Sequence, residues 1–334
     1  METNIIYNED CISGMNCVPD NSIDVVCTDP PYLYLKNQKL DRDFDEAAFF
    51  AQIKRVLKKD GFIVMFGRGT SFYRWNTSLA DLGFTFKEEF IWDKGYCTSP
   101  LMPISRIHET VSIHCLGNGS IIKQKIPYLE MKKYNIPGIL QDLCRMKTIL
   151  KNPLSLQAVE NFLKANVVDF EGSCNPNFTS VSSKVNVQNR CASVMRSIDE
   201  GCNEKSIIRT DRQDCDTFTK FGVNTDKRKT GDRCCNVMQS IEYGLNEKSI
   251  IKETPNHYKA IHPTEKPVRL IERLLNLVCK ENAVVLDPFS GSASTSIACL
   301  NTNRKYIGFE IDEEYYDLSQ KRILEASKEL KINF

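Results

Sequence analysis

Short apolar runs alternate with helically spaced apolar stripes at both ends of this chain. Ile23 to Cys27 is a five-residue run that predicts a buried strand. From Glu46 to Lys58 the apolar residues fall at Phe49, Phe50, Ile53, Val56 and Leu57, the spacing of one helix face. Asp60-Gly61 interrupts that pattern, and Phe62 to Phe66 (FIVMF) predicts a second buried strand. Phe84 to Trp92 and Thr110 to Leu116 predict two more. Near the C-terminus, Val268 to Cys279 (VRLIERLLNLVC) is a strongly amphipathic helix. Ala283 to Leu286 is a short strand ending at Asp287, followed by a Gly/Ser turn and a helix from Ser294 to Leu300. Lys305 to Phe309 predicts a strand ending at Glu310, and Tyr315 to Leu330 a closing helix. Strands separated by helices predict a doubly wound α/β sheet, parallel or mostly parallel, with helices on both faces.

The middle of the chain breaks this rhythm. It is rich in Asn, Ser, Cys and Lys, and its periodicity is poor. RCASVMRSIDEGCNEKSII at 190–208 returns as RCCNVMQSIEYGLNEKSII at 233–251, identical at 13 of 19 positions. Two copies are too few for a solenoid and read as a duplicated small unit. The chain carries a formal net charge of +1, but residues 121–260 hold 22 Lys+Arg against 16 Asp+Glu. That excess is compatible with an ordinary solvated surface and also with one that faces phosphates.

Composition narrows the class. The 334 residues are 41% hydrophobic and 26% charged, as expected of a globular protein, and contain no apolar run long enough to span a membrane. METNIIYNED has no basic segment followed by an apolar one, so no secretory signal is predicted. The 14 cysteines are scattered without a C-x-x-C pair and there are four histidines, which predicts neither a metal site nor a disulfide framework. The expectation is a cytoplasmic protein with reduced thiols.

Two stretches carry chemistry. VVLDPFSGSAST places Asp287 at a strand end, then a turn of small residues, then a helix. In doubly wound sheets ligands bind beyond such strand ends, and small residues let the backbone approach them. Glu310 ends the next strand, where a carboxylate can accept hydrogen bonds from ribose hydroxyls. The second stretch is Asp29-Pro30-Pro31-Tyr32. Prolines fix the backbone and remove N–H donors while keeping their carbonyls as acceptors. The turn therefore offers a carboxylate, rigid carbonyls and a flat ring, suited to a flat ligand bearing an amino group. A helix cap and a core tyrosine account for the same four residues structurally.

TDPPY, then HPTEKP at 262–267, then DPFSGSAST and YIGFEID resemble, in that order, the beta-type amino-group DNA methyltransferases. The resemblance covers roughly residues 4–120 and 257–325. It implies a Rossmann-like methyltransferase sheet made of a catalytic half at 1–120 and a cofactor half at 257–334, with a variable target-recognition region inserted at 121–256. It implies S-adenosyl-L-methionine as cofactor and double-stranded DNA as partner, with no membrane association. Asp29 and the Pro30 carbonyl would accept hydrogen bonds from the exocyclic amino group of a flipped base, Pro31 would stiffen the turn, and Tyr32 would stack on the base. Asp287, Phe289, Gly291 and Ser292 match the loop around the methionine and ribose, and Glu310 the ribose-binding acid. His262, Thr264 and Lys266 match the segment near the methionine carboxylate. Asp10 and Cys11 match the contact to the adenine end, although Asp10 also reads as a helix cap.

An aspartate at the head of D-P-P-Y leans toward adenine N6, with cytosine N4 as the alternative and a catalytically silent DNA-binding protein as the reading from another class. A homodimer and a separate restriction endonuclease stay open. Two departures stand out. Ala293 replaces a glycine usual in the family loop, which would cost about 1 kcal/mol if that position needs positive φ. Leu33-Tyr34 follow the motif where a small or polar residue is more usual.

Overall fold

The computed structural model describes residues 1–32, 42–95, 104, 107–133, 135–147, 230–255 and 265–332, without the side chains of 144–147, 230–236 and 329–332. Leu33-Tyr34, His262, Thr264 and the first repeat copy lie outside the described residues. The described chain falls into two compact units, one formed by Met1–Ile122 and the segment from Ser249 onward, the other containing the stretches that start at Lys123 and end at Lys248.

The first unit is an eight-stranded sheet. Its strands are β1 (Ile5–Tyr7), β2 (Ile23–Thr28), β3 (Leu57–Gly67), β4 (Thr85–Asp93), β5 (His108–Cys115), β8 (Ile250–Lys252), β9 (Val284–Asp287) and β10 (Lys305–Phe309). They lie in the order β1-β10-β9-β2-β3-β5-β4-β8. β1 through β3 run parallel, β5 is antiparallel to both its neighbours, and β8 is parallel to β4. The sheet is thus mostly parallel, as the alternating pattern predicts, with one reversed strand.

Alternate residues of each strand feed two cores, as a two-residue side-chain period requires. Val25, Cys27, Phe62, Val64, Val285 and Tyr306 pack with Leu270, Leu274 and Leu275 of α7 (Val268–Val278) and Ala298 and Cys299 of α8 (Ser294–Asn301). Val26, Ile63, Met65, Leu286 and Ile307 pack on the other face with α1 (Cys11–Met15), α2 (Glu46–Val56) and α3 (Gly69–Asp81). α9 (Glu313–Ile332) closes the fold, with Tyr316 and Ile323 against the first core.

Most expected elements appear within one or two residues of their predicted limits. β3 is the main difference. Asp60-Gly61 does not end the preceding element: β3 begins at Leu57 and passes through Asp60 at φ 64°. The register shifts there between Ile23 and Val25 of β2, and Asp60 Oδ1 accepts a hydrogen bond from Asn118 N at 2.6 Å. The pair is a bulge pinned by its own carboxylate.

The second unit contains β6 (Lys125–Ile126), α4 (Tyr128–Lys132), α5 (Ile136–Lys147), α6 (Thr230–Tyr243) and β7 (Leu245–Asn246). Tyr128 and Lys132 both hold Asp142 Oδ2, at 2.7 and 3.0 Å. The second repeat copy runs through α6 and β7 and ends in β8 of the sheet. Its Gly244 has φ 75°, and a Cβ there would sit 2.5 Å from the Ile126 carbonyl, so only glycine lets the helix end against β6.

Candidate active site at the carboxyl edge of the sheet

β2 and β9 are sheet neighbours, with Val25 opposite Val285 and Val26 opposite Leu286. β2 continues through α2 to β3 on one side, and β9 continues through α8 to β10 on the other. The chain therefore diverges between them and leaves a crevice at their carboxyl ends, the usual ligand position in open α/β sheets. Asp29 follows β2, Asp287 ends β9 and Glu310 follows β10. Residues some 260 positions apart in sequence are brought to one edge.

The Asp29 loop is tightly tied. Tyr32 OH donates to Asp29 Oδ1 at 2.5 Å, and Ser71 Oγ donates to the Tyr32 carbonyl at 2.9 Å. Pro30 is buried, while Pro31 and Tyr32 are half-buried. The Lys266 ammonium pairs with Asp29 Oδ2 and lies 3.3 Å from Glu109 Oε2. Lys94 holds the other Glu109 oxygen at 2.9 Å. Lys266 Nζ also lies 5.3 Å from the Phe66 ring centre, 5.9 Å from that of Trp92 and 6.0 Å from that of Tyr32. Burial raises the Asp29 carboxyl, opposed by Lys266. Burial acts to raise Glu109 too, but Lys266 and Lys94 hold it at about 2. Burial would lower Lys266, yet Asp29 and Glu109 raise it above the ordinary lysine range.

The Asp287 loop is built from backbone donors meeting carboxylates. Asp287 Oδ1 accepts from Phe289 N at 3.2 Å. Glu310 accepts from Gly291 N at 2.8 Å and from Asp312 N at 2.9 Å. Ser292 and Ser294 are buried, with their hydroxyl oxygens 3.2 Å apart. Arg322, on α9, donates to the Ser292 carbonyl at 2.7 Å, to Ser294 Oγ at 3.0 Å and to Glu265 at 2.8 Å. Phe289 joins an aromatic chain, 5.3 Å from Phe44 and from Phe49; Phe44 lies 6.3 Å from Trp75, which lies 6.2 Å from Tyr32. That chain connects the two loops.

Ala293 follows at φ 62°, so the position does require a left-handed backbone. The methyl is fully buried in the core. Burying it contributes about 0.8 kcal/mol, which offsets much of the roughly 1–2 kcal/mol conformational cost. Ala293→Gly should therefore change unfolding free energy by no more than about 1 kcal/mol. Urea unfolding checks this, and a gain above about 2 kcal/mol would mean that the strain is not offset.

Asp10 caps α1, its Oδ1 accepting from Ile12 N at 3.1 Å and Ser13 N at 3.0 Å. Cys11 is buried among Met15 and Phe309, and burial pushes its thiol up to about 12. The structural role foreseen for Asp10 is thus present. The sequence reading overlooked Glu109, Lys94 and Arg322. A glutamate at the head of a predicted buried strand was the available signal for Glu109. Nothing in the pattern marked Arg322.

The donor and acceptor set tests which ligand fits. Three carboxylates meet at this edge. Burial raises all three, and Asp29 and Glu310 further raise Asp287, to about 7. A ligand bearing positive charge and hydroxyl donors would relieve that penalty, which S-adenosyl-L-methionine satisfies.

The DNA methylase family profile (N6_N4_Mtase) matches residues 23–321. The Type II methyltransferase M2.MboI of Moraxella bovis is 41% identical over 73 residues, 22% of this chain and 27% of that protein. M.BglII, a Type II methyltransferase of Bacillus subtilis, is 23% identical over 332 residues, 99% of this chain and 71% of its own length. The crystal structure of the M1.HpyAVI-SAM complex is 16% identical with a TM-score of 0.49, covering 95% of this chain and 98% of that one. In its short, higher-identity alignments the chain spans between 21% and 31% of six curated relatives. Among the described residues no helix is long and apolar enough to cross a membrane.

Proposed function

Because this chain belongs to the DNA methylase family, we propose that it transfers a methyl group from S-adenosyl-L-methionine to the exocyclic amino group of a base in DNA, most readily adenine N6. The observation that carries this reading is the convergence of Asp29-Pro30-Pro31-Tyr32 and the Asp287–Glu310 loops on one crevice between β2 and β9.

The bound cofactor supplies a methyl group activated by its sulfonium. Asp287, Phe289, Gly291, Ser292 and Glu310 hold it, with Glu310 placed for the ribose; Asp10, Cys11, His262 and Thr264 belong to the same reading as its outer contacts. A base taken out of the duplex lies against Tyr32. Its amino nitrogen is a poor nucleophile, because the lone pair is delocalised into the ring. Asp29 and the Pro30 carbonyl accept its two hydrogens, favour a pyramidal nitrogen and stabilise the positive charge that develops there. An ionised carboxylate has about four acceptor sites, so Asp29 can serve the amino group while keeping Tyr32 and Lys266. In-line placement of the two reactants would come from the hydrogen-bonded turns at Asp29–Tyr32 and Asp287–Ser294. The second unit, within residues 121–256, serves as the target-recognition region, while β8 at the end of that range belongs to the catalytic sheet.

The test is incubation with duplex DNA and a cofactor carrying a deuterated methyl group, followed by nucleoside mass spectrometry. Labelled N6-methyladenine is expected. Labelled N4-methylcytosine instead would move the substrate to cytosine, and no labelled nucleoside would contradict the reading.

A further inference from the structure

Lys266 belongs by motif to the segment expected near the cofactor carboxylate, yet its charge is directed elsewhere. Its ammonium is buried, paired with Asp29 Oδ2 on one side and with Glu109 Oε2 on the other, under the faces of Phe66, Trp92 and Tyr32. The side chain is only 8% exposed. A buried ammonium persists when its charge is matched by close carboxylates and ring faces. Here the charges alternate, Asp29, Lys266, Glu109, Lys94, so the chain is neutral overall and each internal charge is shared by two partners. The backbone is anchored as well: the preceding Glu265 is held by Arg322, and Pro267 immediately precedes α7 at its N-cap position.

We propose that Lys266 is a positioning residue for Asp29 and not a cofactor ligand: it keeps the base-facing carboxylate ionised and oriented, and Glu109, backed by Lys94, sets how much of its charge Asp29 receives. This rests on the function proposed above. Asp29 is the stronger acceptor for an amino group when ionised, since a protonated carboxyl keeps one acceptor oxygen but turns a donor toward the ligand, and its partly buried site opposes ionisation. Among the described residues the groups facing it are Lys266, Glu109, the Tyr32 hydroxyl and Asp287. Of these only Lys266 is cationic. Removing that charge must raise the Asp29 carboxyl. Neutralising Glu109 must do the opposite, because it removes a negative neighbour and frees Lys266 from its second counter-ion. Opposite shifts from two neighbours are not the signature of a merely structural role.

The experiment uses the full chain labelled with carboxyl-13C aspartate. The NMR resonance absent from Asp29→Asn is titrated in the wild type, in Lys266→Met and in Glu109→Gln, and cofactor affinity is measured by calorimetry. The midpoint should rise by about one unit or more in Lys266→Met and fall in Glu109→Gln. Cofactor affinity should stay within about threefold in Lys266→Met. An unmoved midpoint in both variants overturns the proposal, as does an unmoved midpoint in Lys266→Met with about tenfold weaker cofactor binding, which would return Lys266 to the cofactor. If Lys266→Met does not fold, the direction of the Glu109→Gln shift decides. Methyl transfer by the wild type, measured separately, tests the functional reading itself, so the two can fail independently.

Discussion

Asp29→Asn should lower the methyl-transfer rate by about 10²–10³-fold, the scale on which single transition-state hydrogen-bonding groups act. The substitution keeps the shape and removes the charge. The amide still offers one acceptor oxygen, but it turns a donor toward either the base or Lys266, where Asp29 now meets the ammonium directly. Cofactor affinity should change by no more than about threefold, because the loops proposed to hold the methionine and ribose are tied by Gly291, Glu310 and Arg322 and not by Asp29. A loss in kcat with the cofactor constant preserved is the mark of an interaction made only in the transition state. A rate near that of the wild type would remove Asp29 from the chemistry, and Tyr32→Ala would then be the next variant to examine.

Cofactor binding should strengthen with pH through the neutral range. Burial lifts Asp287 from an ordinary aspartate value to about 7, with Asp29 and Glu310 adding to it. The folded protein therefore holds a proton on this carboxyl between about pH 4 and 7 that the unfolded chain has released. Its contribution to stability is full below the unfolded value and is lost as pH rises through the folded one. A cationic ligand reverses the preference and favours the ionised form, so binding releases that proton. For one such group the dissociation constant falls by about tenfold between pH 6 and 8 and then levels. Calorimetry in buffers of different ionisation enthalpy reads both the constant and the proton release. Asp287→Asn should bind more weakly and with no slope over this range. A slope retained in that variant would assign the proton to Glu310 or Asp29.

Six of the sheet's eight strands were legible because buried strands leave apolar runs; β1 and β8, three residues each, leave too short a trace. Val25 and Cys27 against Val26, or Val285 against Leu286, divide between the two cores as alternation demands. The direction of β5 was not legible: an apolar run fixes which residues are buried but not which way the strand runs. α3 was not anticipated although Phe72, Trp75 and Leu79 fall at the spacing of one helix face; the stripe has only three residues and no side chain caps its start. At the site, the strand-end acids and the Ala293 strain could be read locally. The Lys94–Glu109–Lys266 chain could not, since its members are distant in sequence and meet only through sheet order. Asp60-Gly61 shows a related limit, because the same two residues that commonly break an element here form a bulge within one.

The most direct test of the composite site is single-molecule sequencing of DNA from a methylation-deficient host expressing the wild type or Asp29→Asn. Methylated adenines should recur at one short sequence with the wild type and disappear with the variant. DNA equally unmodified in both, or equally modified in both, would contradict the composite site.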